Sequence, residues 1–180
     1  MSNFGFLGRE IIKITRRLTD VTHKKRGQTS QELCKLLYYP QKNPLQQPIA
    51  ESQLNDDREL YTFETVSESR ELVNRNISVV PELPTPDTSE SRIVVIFDSF
   101  SLSENQALKI NMVRFDVFVP LNSWLLEDSI RPFEIIKRID QLFNGQQMEG
   151  LGMLRFERAE MITSEGYAGY AVIYETADYN

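Results

Sequence analysis

The 180-residue chain contains one cysteine, Cys34, and one histidine, His23. A lone cysteine excludes an internal disulfide and any cysteine-rich zinc site. A lone histidine removes most Ser-His-Asp, Cys-His and histidine-ligated metal schemes, unless His23 itself is the base. Apolar runs are short. Ile93-Val94-Val95-Ile96-Phe97 is as long as they get, far below the roughly 18 residues of a spanning helix. The first residues have neither the apolar core nor the small-residue cleavage site of a secretory signal, so a reducing cytoplasm is the expected place of synthesis. No GxxxxGK[ST] loop occurs. Gly150-Leu151-Gly152 lacks the third glycine of a dinucleotide turn and precedes a strand pattern rather than a helix, which makes it a simple turn.

What is present is a folding chain. Apolar residues make up 41%, and 10 Phe, 7 Tyr and 1 Trp are too many aromatics for a solvated, disordered chain. Charge is uneven. Residues 1–26 carry seven basic and two acidic side chains, net +5, whereas the other 154 residues carry a net −11. A basic head on an acidic body implies an arm that meets an acidic surface, and the body itself should not coat nucleic acid.

Periodicity orders the elements. Residues 8–23 place Ile11, Ile12, Ile14, Leu18 and Val21 at mostly helical spacing, and a shorter helix capped by Thr29 or Ser30 carries Leu33, Cys34, Leu36 and Leu37 before Pro40 stops it. Residues 40–60, rich in Gln, Asn and Pro, read as a long loop or extension of the contact-making kind. Residues 61–80 are ambiguous, with a short strand at Tyr61, Phe63 and Val66 and an extended run through Ile77, Val79 and Val80. The proline-rich tract 81–91 is a connector. Arg92–Asp98 is apolar on both faces, like a central strand. In 111–120, Val113, Phe115, Val117 and Val119 share one face and Met112, Arg114, Asp116 and Phe118 the other, so 92–119 is a hairpin with a long tip. The clearest helix is 130–144, with Pro132 in its first turn, Asn144-Gly145 as its stop and Glu134 four residues before Arg138. Its apolar stripe is Phe133, Ile136, Ile139, Leu142 and Phe143, with Ile135 beside it. Strands at 152–160 and 169–176 close the chain. The expected class is α+β: an antiparallel or mixed sheet flanked by helices in the order α-α-(β)-β-β-α-β-β. The expected division is an N-terminal helical arm with its extension over 1–60 and a core domain over 61–180.

Catalytic constellations are thin. Asp98 and Asp116 on neighbouring strands are two carboxylates of the kind a divalent-metal nuclease uses, but the acid-x-Lys step is missing because Ser99 and Phe100 follow Asp98. A solvent-facing Asp116 near Arg114 is the blander account. Ser99, Ser101 and Ser103 have no glycine elbow and read as a polar hairpin tip. Cys34 sits among leucines as a small buried thiol. No catalytic residue, metal ligand or cofactor is assigned. The basic helix suits an acidic protein, nucleic acid or anionic lipid, though nothing marks it as a sequence reader. Tyr170 and Tyr174 share a strand face, whereas Tyr179 in the tail is a candidate interface anchor.

Five segments in succession carry a resemblance: the strand MVRFDVFVP, a tryptophan-containing connection, the helix IRPFEIIKRIDQLFNGQ with its Gly-Leu-Gly turn, the strand MLRFERAE and the closing GYAGYAVIYET. This C-terminal half resembles the tail-terminator and head–tail joining proteins of tailed bacteriophages, and Val80-Pro81-Glu82-Leu83-Pro84 suits that likeness. It covers about residues 77–176, and residues 1–60 have no counterpart. The resemblance implies a non-enzymatic virion protein in the neck. It would be made in the host bacterial cytoplasm and assembled as a six- or twelve-fold homo-oligomeric ring against portal or adaptor and tail proteins. Double-stranded DNA would pass through the channel unbound, repelled by acidic residues, and no membrane would be involved. Arg9, Lys13, Arg16, Arg17, Lys24, Lys25 and Arg26, with Glu104 on the hairpin tip and Tyr179, are then the candidate oligomer or partner contacts. Two alternatives stand beside it: a cytoplasmic adaptor docking through the basic helix, and the Asp98–Asp116 nuclease.

Overall fold

The computed structural model describes residues 3–21, 23–47, 76–79, 90–102 and 108–177. Within them, helices α1 (Asn3–Thr19), α2 (Gly27–Tyr38) and α3 (Arg131–Phe143) accompany six strands: β1 (Ile77–Ser78), β2 (Arg92–Leu102), β3 (Leu108–Pro120), β4 (Gln146–Met148), β5 (Gly152–Ser164) and β6 (Tyr167–Ala177). The sheet order is β1-β2-β3-β6-β5-β4. β1 runs parallel to β2 and every other pair is antiparallel, so the class is α+β with a mixed sheet.

Alternation in β3 sets the architecture. Val113, Phe115, Val117 and Val119 are fully buried on the face that meets the helices, joined there by Ile93 and Val95 of β2, Leu154 of β5 and Val172 and Tyr174 of β6. Burying such side chains is worth about 1.5–3 kcal/mol each and drives the helices onto this face. Phe115 lies at the centre, 5.0 Å from the Phe143 ring and 5.7 Å edge-on to Tyr174, whose hydroxyl donates to Asp140 Oδ1 at 3.2 Å. On the opposite face a smaller cluster of Val94, Phe118 and Tyr167 contains no helical residue.

Several expectations need correction. The N-terminal helices do not stand off as an arm: Ile14, Leu18, Leu33, Leu36 and Leu37 are buried in the same cluster as the sheet residues. α1 spans Asn3–Thr19 rather than 8–23, and at its end the Thr19 hydroxyl donates back to Thr15 O and Arg16 O. α2 starts at Gly27 without a side-chain cap. Ser30 is buried and donates to Arg17 O at 3.1 Å, stitching α2 to α1 instead of capping a helix. α3 falls within one residue of its expected span and buries Ile135, Ile139, Leu142 and Phe143. Phe133 is half exposed and packs on Tyr170 at 5.4 Å, although Arg131 and Pro132 in the same turn are buried. β2 runs on to Leu102 through register shifts at Phe97–Phe100, so Ser99 and Ser101 are strand residues and not a loop. β5 and β6 also outrun their expected spans, and β4, only three residues long, gave no period to read. The strand anticipated at 61–66 and most of the 40–60 extension lie outside the described residues.

Candidate interaction surface

The basic residues of α1 work largely inside the chain. Lys13 Nζ donates to Glu10 Oε1 at 3.0 Å and to Glu149 O at 3.2 Å. Glu10 is 2% exposed, and its carboxylate packs so closely on Gly150 (φ +85°) that a Cβ there would lie 2.8 Å from it. Arg17 reaches Gln146 Oε1 at 3.4 Å and lies over the Phe143 ring at 5.5 Å, a cation–π contact. Arg9 and Arg16 also interact within the chain. Lys13 and Arg17 fasten α1 to the β4–β5 turn and to β4, so the positive charge of residues 1–26 is not all offered to a partner. Sequence spacing cannot show this, since both partners lie more than 120 residues away.

The remaining cations form a corner between α1 and α2. His23 O accepts from the backbone amides of Arg26 (3.2 Å) and Gly27 (2.7 Å), and His23 Nδ1 accepts from Lys25 N at 3.2 Å. His23 thus shapes a turn. Lys24 and Lys25 are exposed on it and have no acidic partner among the described residues, and Arg26 is half-buried. Burial first, and then the nearby Arg26 charge, lower the Arg17 pKa to about 10.

The Asp98–Asp116 pair is brought together, but around a cation. Arg114 Nη1 donates to Asp98 Oδ1 at 3.1 Å and Nη2 to Asp116 Oδ2 at 2.8 Å. The guanidinium occupies the place where two carboxylates would converge on a metal, which does not fit that chemistry. Hydrogen bonding to Asp116 is the main cause of the raised Arg114 pKa. Asp116 is buried, not solvent-facing as its neighbours in sequence suggest. Among the described residues no group of three His, Cys, Asp or Glu is placed to hold a metal, and no helix is long and apolar enough to cross a membrane.

Cys34 is 3% exposed, and burial pushes its thiol up to about 12. The thiolate is the reactive form, so the folded protein should resist a maleimide or disulfide reagent at pH 8 and react stoichiometrically in denaturant. Rapid labelling of the native protein would contradict this burial.

The residue that sequence reasoning passed over is Arg131, fully buried at the start of α3. Nε donates to Ser123 O (2.8 Å), Nη1 to Leu36 O (2.9 Å) and Tyr39 O (2.6 Å), and Nη2 to Pro40 O (3.0 Å) and Gln41 O. It closes the C-terminal end of α2 and pins the chain that leaves it. A signal existed: a cation at a helix N-terminus opposes that helix's own dipole and needs another reason to be there. Beside this knot is a cavity of about 300 Å3 whose lining includes Lys42, Leu45, Leu126, Glu127, Asp128 and Glu134. Glu127 N donates to Lys42 O (3.1 Å) and Lys35 Nζ to Leu45 O (3.2 Å), so its walls are tied to α2 and to each other. Glu134 is engaged by Arg138, as their four-residue spacing predicts, and Arg138 also reaches Glu32 at 3.0 Å. Glu104 and Tyr179 lie outside the described residues.

A protein-family model, YomW, matches residues 30–176, about four-fifths of the chain. The chain belongs to the YomW family. That name is a gene name of the SPbeta-like Bacillus phages and points to a phage-derived protein. The YomW match begins inside α2 and ends one residue before the end of β6, so it takes in Arg131, its carbonyl acceptors, the cavity and all but the last residue of the sheet. It also crosses the division expected at residue 60. No curated protein and no solved structure matches the chain.

Proposed function

We propose that this YomW-family protein is a structural component of a tailed-phage virion: a homo-oligomeric ring in the neck that joins head to tail or terminates the tail around the DNA channel. The supporting observation is the unit β2-β3-α3-β5-β6 within a phage-associated family. Two long hairpins pair through β3 and β6, helices cover one face, and the other face carries the small Val94–Phe118–Tyr167 cluster with the Arg114 and Arg158–Glu160 ion pairs. Such a unit offers hairpins and edges to neighbours. The acidic balance of residues 27–180 suits a channel through which DNA slides without sticking.

Negative-stain electron microscopy of the purified protein, with antibody labelling of source particles, tests this reading. Rings, or label at the head–tail junction, are the expected outcome. A monomer at every concentration with no virion label would overturn the ring and leave an adaptor function to the basic corner.

A further inference from the structure

We infer that copies of this chain join head to tail, with the Lys24–Lys25–Arg26 corner of one copy seated in the Glu127–Asp128 cavity of the next. The inference rests on the ring reading and supplies its contact.

Charge complementarity carries it. At the corner, Lys24 and Lys25 are exposed and without an acidic partner among the described residues, with Arg26 and Arg17 adding charge behind them. At the cavity, Glu127 and Asp128 are exposed and without a cationic partner among the described residues. Lys42 on the rim opposes them singly, and Glu134 is already engaged by Arg138. Leu45 and Leu126 give the same cavity an apolar wall for the stems of long cationic side chains. Its volume sits at the lower end of the range that admits a small ligand, enough for a side chain or two.

Geometry makes the contact intermolecular. The corner precedes the first residue of α2 and the cavity follows its last. Twelve helical residues separate them by about 18 Å at 1.5 Å each, and both ends are tied down, one by the His23 turn and the other by Arg131. A copy cannot satisfy its own cavity. Donor and acceptor are different patches, so the contact is heterologous, the class that closes into rings or runs on as filaments.

The test uses two full-length variants, Lys24→Glu with Lys25→Glu, and Glu127→Lys with Asp128→Lys. All four positions are exposed, and circular dichroism should show the native fold in each. Each variant alone should self-associate at least about tenfold more weakly than the parent by analytical ultracentrifugation, since like charges then face each other. An equimolar mixture should regain assembly, because each variant's altered patch complements the other's. Parent assembly should also weaken as salt rises from about 0.05 to 0.5 M. If both variants form rings as the parent does, the inference fails while the ring reading stands. If the parent forms no assembly and labels no virion, the ring reading itself fails. If the corner variant loses only duplex-DNA binding while the cavity variant behaves as the parent, the corner serves a phosphate backbone and the inference is overturned.

Discussion

Replacing Arg131 with methionine is expected to lower the unfolding free energy by about 4 kcal/mol, a large share of the roughly 5–15 kcal/mol that holds a domain together. Methionine keeps most of the volume, so the loss reports the guanidinium and not a cavity. Five carbonyl oxygens lose their donor at once. Those of Ser123 and Leu36 are bonded in fully buried surroundings where water does not readily replace the arginine. Those of Tyr39, Pro40 and Gln41 are only partly buried and recover some solvation. A buried acceptor left empty costs about 1–3 kcal/mol, more when its donor was charged. The lost attraction between a cation and the C-terminal end of α2 adds a little. Burial lowers the Arg131 pKa to about 10, which leaves the group cationic at neutral pH. Arg131→Lys keeps the charge but not the planar five-donor fork, and should recover less than half of the loss. Trp124, the chain's one tryptophan, accepts Arg131 N through its carbonyl and is a local fluorescence probe. At a slope near 2 kcal/mol/M, the urea midpoint should fall by about 2 M. A fall under about 0.5 M would mean that water replaces the arginine at all five oxygens.

The same residue shows why some of the fold was legible and some was not. Strand β3 and helix α3 are regular over 13 residues each, and their burial follows periods of two and 3.6 that any reader can count. The pairing of Glu134 with Arg138 is equally local. Arg131 acts instead on carbonyls 90 residues earlier, and Lys13 on one 136 residues later, where a pattern has no reach. β1 and β4 are two and three residues long, too short to have a period. The charge asymmetry was read correctly as composition and only partly as placement. α1 carries the cations, but its stripe of Leu7, Ile11, Ile14 and Leu18 meets the sheet, and that turns Lys13 and Arg17 inward to the β4–β5 turn and to β4. What remains for a partner is the turn after α1, where Lys24 and Lys25 have no apolar neighbours in sequence to bury them.

Gly169→Ala should be the most damaging single-methyl change in the sheet, costing about 3 kcal/mol or more. Gly169 sits in β6 between Phe118 of β3 and Ile162 of β5, so its strand is paired on both sides. A Cβ at this position would lie 1.7 Å from Val117 O and 2.8 Å from Val117 C. Both are backbone atoms of the adjacent strand, and no rotamer change relieves the overlap. Relief needs β3 and β6 to part where their ladder is continuous from Met112–Glu175 to Pro120–Tyr167. Overpacking a core with one added methyl usually costs about 1–3 kcal/mol, and an overlap with backbone belongs at or above the upper end. A glycine inside a strand is otherwise a liability, so this one is explained by the close approach it permits. That approach seats Phe118 and Ile162 with Val94 and Tyr167 on the face the helices leave uncovered. Gly8→Ala is the matched control. Gly8 is exposed in α1 with nothing within 4 Å of a built Cβ, and alanine there should stabilise by about 0.5–1 kcal/mol through helix propensity. The two substitutions add the same atom with opposite signs, and parallel urea titrations separate them. If Gly169→Ala stays within about 1 kcal/mol of the parent, β3 and β6 do not meet as closely as described.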